Sequence, residues 1–345
     1  MTNEKILFDE IIVFADIHYG LKRNSPQYNQ DCNEFIDWMI EQAKEAGITK
    51  AIFLGDWHHN RHTINVETIS YSWQGLKKIN DYFDIVYMII GNHDLYYKES
   101  RDVSSVEFAE GLDSIKIINE RYTKDNVTFY PWLLDDEWKN VKKTKSKYVF
   151  GHFELPEFYL NAMVKMPDNG KLKYDDFDNQ RYVFTGHFHK RQWKKNVCYV
   201  GSCFPHDFND VNDDERGYMI LKWDEEPKFY NWPNAPTYRH YKYTELKNNE
   251  DHYLKNIPKI NIKIEYDDGE VNTSKLNYYR DWLVEQYDIR TVKLVESSKQ
   301  ELFEGEEIDD AEVCDNVDNI VVSQLKTMDS EEYDVNMLIN MYNDL

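Results

Sequence analysis

The sequence predicts an α/β layered fold, and two observations carry that reading. Between residues 11 and 90, β-branched and aromatic runs alternate with stretches of helical period, a β-α-β-α-β order that packs helices onto a sheet. After residue 148, short strand-like runs follow one another more closely, which predicts a mixed sheet or a two-sheet sandwich rather than a purely parallel one.

The elements follow in order. IIVFA (11–15) reads as a buried strand. Residues 33–47 carry Phe35, Ile36, Met39, Ile40 and Ala43 at helical spacing, with Gly47 as a stop signal. KAIFL (50–54) is the second strand, residues 66–80 a second helix and DIVYMII (84–90) a third strand. YVF (148–150), YVF (182–184), VCYV (197–200) and YMILKW (218–223) read as later strands. Pro227, Pro233 and Pro236 mark a boundary, so residues 1–230 form the main domain. Residues 231–297 form a small β-α-β appendage: PKINIKIEYD (258–267) alternates as a strand, 275–287 is an amphipathic helix and IRTVKLVE (289–296) a strand. Residues 298–345 form a tail, with an acidic tether over 301–315. Two short amphipathic stripes follow it, Val317, Ile320, Val321, Leu325 and Met328, then Val335, Leu338, Ile339, Tyr342 and Leu345.

Composition bounds the function. A chain of 345 residues with 41% hydrophobic content fills more than one compact unit. No apolar run approaches the ~20 residues of a membrane span. MTNEKILFDE lacks the basic and apolar regions of a signal peptide. Cys32, Cys198, Cys203 and Cys314 form no CxxC pair, so reduced thiols and a cytoplasmic setting are expected. The net charge of −22 argues against simple electrostatic binding of nucleic acid. That charge is concentrated in the tail, where Lys299 and Lys326 face fourteen acids. Basic clusters at 139–147 and at Lys190, Arg191, Lys194 and Lys195 survive in the body, as solvated faces or phosphate contacts.

The chemistry sits at strand ends. Asp16-Ile17-His18 follows the first strand, Gly55-Asp56 the second and Gly91-Asn92-His93-Asp94 the third. Gly151-His152 and Gly186-His187-Phe188-His189 follow two later strands. Sites of α/β sheets form outside the carboxyl ends of strands. Any one of these motifs alone is more often a turn or a strand end with ordinary buried histidines. Five in order, each at a strand end, are hard to obtain by chance. Asp, His and Asn without thiolate suit Mn²⁺, Fe²⁺ or Zn²⁺. Seven such donors exceed one tetrahedral ion and fit two ions ~3.5–4 Å apart with one bridging carboxylate.

The ordered set DIH, GDWHH, GNHD, GH and GHFH resembles the metallophosphoesterase (calcineurin-like) superfamily. GHFE (151–154), GHFHKR (186–191), YVGS (199–202) and ERGY (215–218) are similar to its SbcD-type nuclease branch, and most to phage recombination endonuclease subunits. The resemblance covers residues 10–223, and the appendage more loosely. It implies a four-layer sandwich of two mixed β-sheets flanked by helices, a DNA-facing β-α-β cap and a C-terminal helical tail. It implies that Asp16, His18, Asp56 and His189 hold one metal, and that Asp56, Asn92, His152 and His187 hold the other, with Mn²⁺ expected and Mg²⁺ possible. His93 would protonate the leaving oxygen, its pKa kept up by a nearby anion such as Asp94. His59 stands three residues after Asp56, where phosphatase branches carry an acid, and is expected to contact phosphate or take part in catalysis. His58 is expected to be structural, His62 exposed and Trp57 core. Lys190 and Arg191, next to His189, are expected at the cleft rim on substrate phosphate. The activity implied is 3′–5′ exonuclease and single-strand endonuclease action in DNA recombination and repair, with a small-molecule phosphodiesterase or phosphatase as the alternative. The partners implied are DNA, a second copy of the chain pairing the early helices, and an SMC-like ATPase (SbcC-type) gripped by the C-terminal helices.

Overall fold

The computed structural model describes residues 5–160, 165–267, 269 and 271–297; the tail expectations, including both amphipathic stripes, lie outside these residues. Two six-stranded mixed sheets stack face to face. In the first, Glu10–Phe14, Lys50–Phe53, Ile85–Ile89 and Ile115–Ile118 run parallel. Gly217–Lys222 and Lys228–Asn231 complete it as antiparallel neighbours beyond Glu10–Phe14. In the second, Val127–Tyr130, Tyr148–His152, Tyr182–Gly186 and Val197–Tyr199 run parallel, closed at both edges by the three-residue antiparallel strands Tyr122–Lys124 and Gln192–Lys194.

Alternation decides which residues fill which layer. Ile11, Val13, Ile52, Leu54 and Ile89 of the first sheet meet Phe129, Phe150, Phe184 and Cys198 of the second in one buried cluster. The opposite face of the first sheet, Ile12, Phe14, Ala51, Phe53, Val86 and Met88, packs against helices Pro26–Ala46 and Val66–Tyr82. On the second sheet, the outer residues Val149, Val183, Val197 and Tyr199 are covered by Phe153, Leu155, Phe158, Leu172 and Phe177. That layer is built from loops, the one-turn helix Trp138–Val141 and the 3₁₀ turn Tyr174–Phe177.

The first long helix begins well before residue 33. Ser25 caps it by accepting from the Tyr28 amide, and Pro26 occupies the first turn, where its missing N–H costs nothing. Gly47 stops it at φ 70. The polar residues Gln27, Asn29, Gln30 and Asp31 hide that turn from a hydrophobic-period reading.

The first sheet continues through Asn231, and the smaller sheet starts at Thr237, so the proline-bearing junction lies between them. The small sheet has three parallel strands, Thr237–Lys242, Ile260–Tyr266 and Thr291–Glu296, rather than the two expected from sequence. Thr-Tyr-Arg-His-Tyr-Lys carries too little aliphatic content to read as a strand. Helix Thr273–Tyr287 covers this sheet with Leu276 and Leu283 over Ile260, Ile262 and Ile264. Buried Asp31 ties the sheet to the first helix, accepting from Lys259 Nζ at 2.9 Å and from Arg290 at 2.6 and 3.0 Å. Among the described residues, no helix is long and apolar enough to cross a membrane.

Candidate metal centre

The carboxyl ends of the parallel strands of both sheets deliver their polar residues to one place. Four of these residues take the left-handed backbone region, which L side chains seldom occupy: Asp16 (φ 53), His18 (φ 53), Asp56 (φ 62) and His187 (φ 94). Such strain persists where the surroundings over-determine it, and it gathers at functional sites.

Asp56 is the hub. Its Oδ2 lies 3.2 Å from His152 Nε2 and 3.7 Å from His18 Nε2, and its Oδ1 accepts the His93 amide at 2.9 Å. On one side, His18 Nε2 faces His189 Nε2 at 3.1 Å, and the Asp16 carboxylate accepts from the His187 amide. On the other, Asn92 Oδ1 lies 3.0 Å from both His152 Nε2 and His187 Nδ1. The seven residues expected as ligands from sequence therefore converge, and Asp56 lies between two subsets of them. Two groups with potential ligand atoms mutually within 4.8 Å reflect this, Asp16–His18–Asp56 and Asp56–His152–His187.

Glycines make the approach possible. A Cβ at Gly91 would fall 2.1 Å from Asp56 Oδ1, and one at Gly55 2.4 Å from His152 Nδ1. Gly55 also adopts φ 105.

The electrostatics fit divalent cations. Burial pushes the Asp16 carboxyl up to about 8. Burial also opposes ionisation of Asp56, but the imidazoles of His152, His93 and His18 outweigh it and hold its pKa well below the ordinary range. Burial disfavours a charged His152, yet Asp56 and Asp16 overcome this and push it up to about 9. Burial lowers His18 strongly and His189 to about 3, leaving neutral imidazoles with lone pairs to donate. A buried cluster of carboxylates and neutral imidazoles, with protons retained at Asp16 and His152, is the donor set a hard or borderline cation replaces those protons in.

His93 and His59 sit at the edge of this cluster with their rings stacked, centroids 5.3 Å apart at 16°. His93 Nδ1 is 2.7 Å from the His59 carbonyl, and the His93 ring meets His18 edge-on at 4.9 Å. The expected support from Asp94 is not what the structure provides. Asp94 is fully buried, and its carboxylate accepts from the amides of Asp56, Trp57, His58 and Gly91 at 2.9–3.1 Å. It organises two ligand loops, while burial lowers His93 to about 4. The sequence reading missed this because a turn-capping Asp looks the same in one dimension.

The neighbours divide as follows. His58 is buried between Ser105 Oγ and Ser72 Oγ, Trp57 is buried with its Nε1 donating to Ser72, and His62 is exposed against Tyr96. Lys190 lies over the Tyr159 ring. Arg191 donates to the Val200 carbonyl and to Asn231 Oδ1 and stacks on Phe229, so its guanidinium is engaged within the fold. A cleft lined by Trp132, Trp138, Glu154, Asn169 and Lys171 opens beside His152, and its Trp132 ring lies 5.0 Å from His187. Apart from Glu154 in GHFE, sequence patterning gave no signal for those lining residues, which come from loops and, for Trp138, from a one-turn helix.

A family model described as calcineurin-like phosphoesterase matches residues 10–191. Exonuclease subunit 1 of Enterobacteria phage T4 is 24% identical over 333 residues, covering 94% of this chain and 91% of that protein. Among solved structures, a Pseudomonas putida nuclease MPE aligns at 17% identity over 52% of this chain, with a TM-score of 0.29, and the match spans only 61% of that nuclease. A dimetal phosphatase from Danio rerio aligns at 12% identity over 62% of this chain and 92% of its own, with a TM-score of 0.38. With the family match spanning more than half its length, the chain belongs to the calcineurin-like phosphoesterases.

Proposed function

We propose that this chain is the nuclease subunit of a DNA end-processing complex that hydrolyses DNA phosphodiesters with two divalent metal ions, Mn²⁺ before Mg²⁺. The observation that carries the reading is Asp56 between two sets of O and N donors, with the stacked His93–His59 pair at their edge. Similarity to a phage exonuclease subunit over 94% of the chain supports DNA as substrate and a multi-subunit assembly.

Asp16, His18, Asp56 and His189 would hold one ion, and Asp56, Asn92, His152 and His187 the other. Bound there, the ions would supply an activated water and neutralise phosphate oxygens. Asp94 fixes the backbone of Asp56 and Gly91, so the donors are preorganised. Burial keeps His93 mostly neutral in the free protein. Its Nδ1 faces the His59 carbonyl, which suits an Nδ1–H tautomer. An anionic phosphodiester arriving beside the ring favours the imidazolium, whose Nε2–H then protonates the departing alkoxide. His59 holds that ring in plane by stacking, and Lys190 offers a charge near the rim.

In this reading residues 231–297 form the DNA-facing cap. The tail after 298 docks on an SMC-like ATPase, and two copies pair through the early helices. Ile69, Trp73 and Phe108 are exposed on or beside helix Val66–Tyr82, apolar surface that such pairing would cover.

The test is digestion of end-labelled duplex and single-stranded oligonucleotides with Mn²⁺, beside hydrolysis of a small aryl phosphate. Nucleotide release from the labelled ends, abolished by chelator, is expected. Turnover of the aryl phosphate with intact DNA would assign the chain to small-molecule phosphoester hydrolysis instead.

A further inference from the structure

Three consecutive backbone carbonyls after the first strand are each captured by a side chain. Cys203 Sγ donates to Ala15 O at 3.1 Å, and His206 Nε2 lies 3.1 Å from Asp16 O. Tyr28 Oη and Cys32 Sγ lie 3.1 and 3.5 Å from Ile17 O. This segment carries Asp16 and His18, both in strained left-handed backbone.

The loop supplying Cys203 and His206 is tied at its other end to His189, because the Ser202 amide donates to the His189 carbonyl at 2.9 Å. That contact places the start of the loop directly behind a second candidate ligand. Arg216, fully buried, spans the loop. Its Nε donates to Ser202 Oγ at 3.2 Å and its Nη2 to Asp210 Oδ1 at 3.0 Å, while Asp210 Oδ2 accepts the His206 amide at 2.7 Å. Asp213 takes the rest of the guanidinium at 2.7 and 2.9 Å.

His206 lies among the candidate ligands, with its ring centroid 4.8 Å from that of His189. Both its nitrogens are nevertheless engaged. Nδ1 is 2.7 Å from Tyr28 Oη, and Nε2 faces the Asp16 carbonyl. A carbonyl cannot donate, so Nε2 carries the proton and Nδ1 accepts from the tyrosine, whose single hydroxyl proton is shared between Nδ1 and the Ile17 carbonyl. A ring fixed in this way is a brace rather than a ligand.

We propose that the Ser202–His206 loop, held by Arg216, is a clamp that sets the position of Asp16 against His189 and so controls occupancy of one of the two metal positions. Asn92 and His152, at the other position, make none of these contacts. The inference rests on the two-metal reading above and adds positioning residues, His206 and Arg216, to it.

The test is equilibrium dialysis of the full chain against Mn²⁺ alone, without substrate, for wild type, His206→Ala and His206→Gln. Wild type is expected to bind two ions. His206→Ala is expected to keep one and bind the other about 10–100-fold more weakly, the usual effect of losing a residue that orients a ligand. His206→Gln, whose side-chain amide can still donate to Asp16 O, should recover most of that loss. Tyr28→Phe keeps the ring and removes only the hydroxyl, which orients His206 and also holds the Ile17 carbonyl, so it should repeat the loss in weaker form even if His206→Ala does not fold. Unchanged binding in all variants, or equal weakening of both ions, would overturn the clamp while leaving the two-metal reading intact. A wild type that takes up no Mn²⁺ overturns both.

Discussion

Gly91→Ala adds one methyl group at the tightest point of the site. Its Cβ would fall 2.1 Å from Asp56 Oδ1, 2.5 Å from Asp56 N and 2.8 Å from Asp56 Cγ. Ordinary contact begins at 3.4 Å, so the carboxylate has to retreat by about 1.3 Å. The backbone must shift as well, since the 2.5 Å contact is with Asp56 N, and that shift strains the Asp56 and Gly91 amide bonds to Asp94 Oδ2 at 2.9 Å. The carboxylate's retreat also breaks the bond from the His93 amide to Asp56 Oδ1. Gly91 is not among the positive-φ residues, so the effect is steric rather than a loss of backbone freedom. A misplacement of ~1 Å costs on the order of 10²-fold in rate. Turnover of an aryl phosphodiester in Mn²⁺ should fall at least that far, with metal uptake reduced and far-UV circular dichroism retained. Gly111→Ala is the control, since a Cβ there meets nothing within 4 Å. Wild-type turnover and Mn²⁺ uptake in Gly91→Ala would refute the packing described around Asp56.

Two further expectations follow from the same geometry, and a third from the sequence of the tail. His93→Asn should bind two ions normally while cleavage falls by about 10²–10⁴, less for substrates with good leaving groups; equal losses on good and poor leaving groups would rule out proton donation. In chelator, Tm should fall as pH rises from 7 to 9. Folded Asp16 and His152 keep protons up to about 8 and about 9, whereas the unfolded chain has released them, so rising pH favours unfolding. Mn²⁺ should flatten that profile by replacing the protons, and a flat profile in chelator would contradict the charge balance of the site. In the proposed complex, truncation after residue 300 should leave metal-dependent hydrolysis intact and abolish capture of the proposed SMC-like ATPase; co-purification of the truncated chain with that ATPase would place the docking surface elsewhere.

The strand-end motifs were legible because strands and turns leave a one-dimensional trace. An apolar run stops, a glycine permits the bend, and the next polar residue projects from the carboxyl end of the sheet. Asp56, Asn92, His152 and His187 all followed that pattern, Asp16 follows Ala15 in place of a glycine, and all five converge in the structure. Asp94 was visible but misassigned, since nothing in Gly-Asn-His-Asp says that the last carboxylate gathers four backbone amides rather than facing His93. His206 lies in a stretch of Asp, Asn and Pro with no period, and its function exists only through contacts far along the chain, whereas Arg216 was visible within ERGY but not as the tie to Ser202, Asp210 and Asp213. Short strands such as Tyr122–Lys124 and Gln192–Lys194 are edge additions of three residues, too brief for alternation to register. The Leu95–Ser104 hairpin was missed for a similar reason, since its first strand has three residues and its register is irregular.

The central claim is that two ions share Asp56, and anomalous scattering from crystals grown in Mn²⁺ tests it most directly. The account predicts two peaks ~3.5–4 Å apart with the Asp56 carboxylate between them, and neither peak in Asp56→Asn. A single peak in the wild type, or two full peaks in Asp56→Asn, would contradict it.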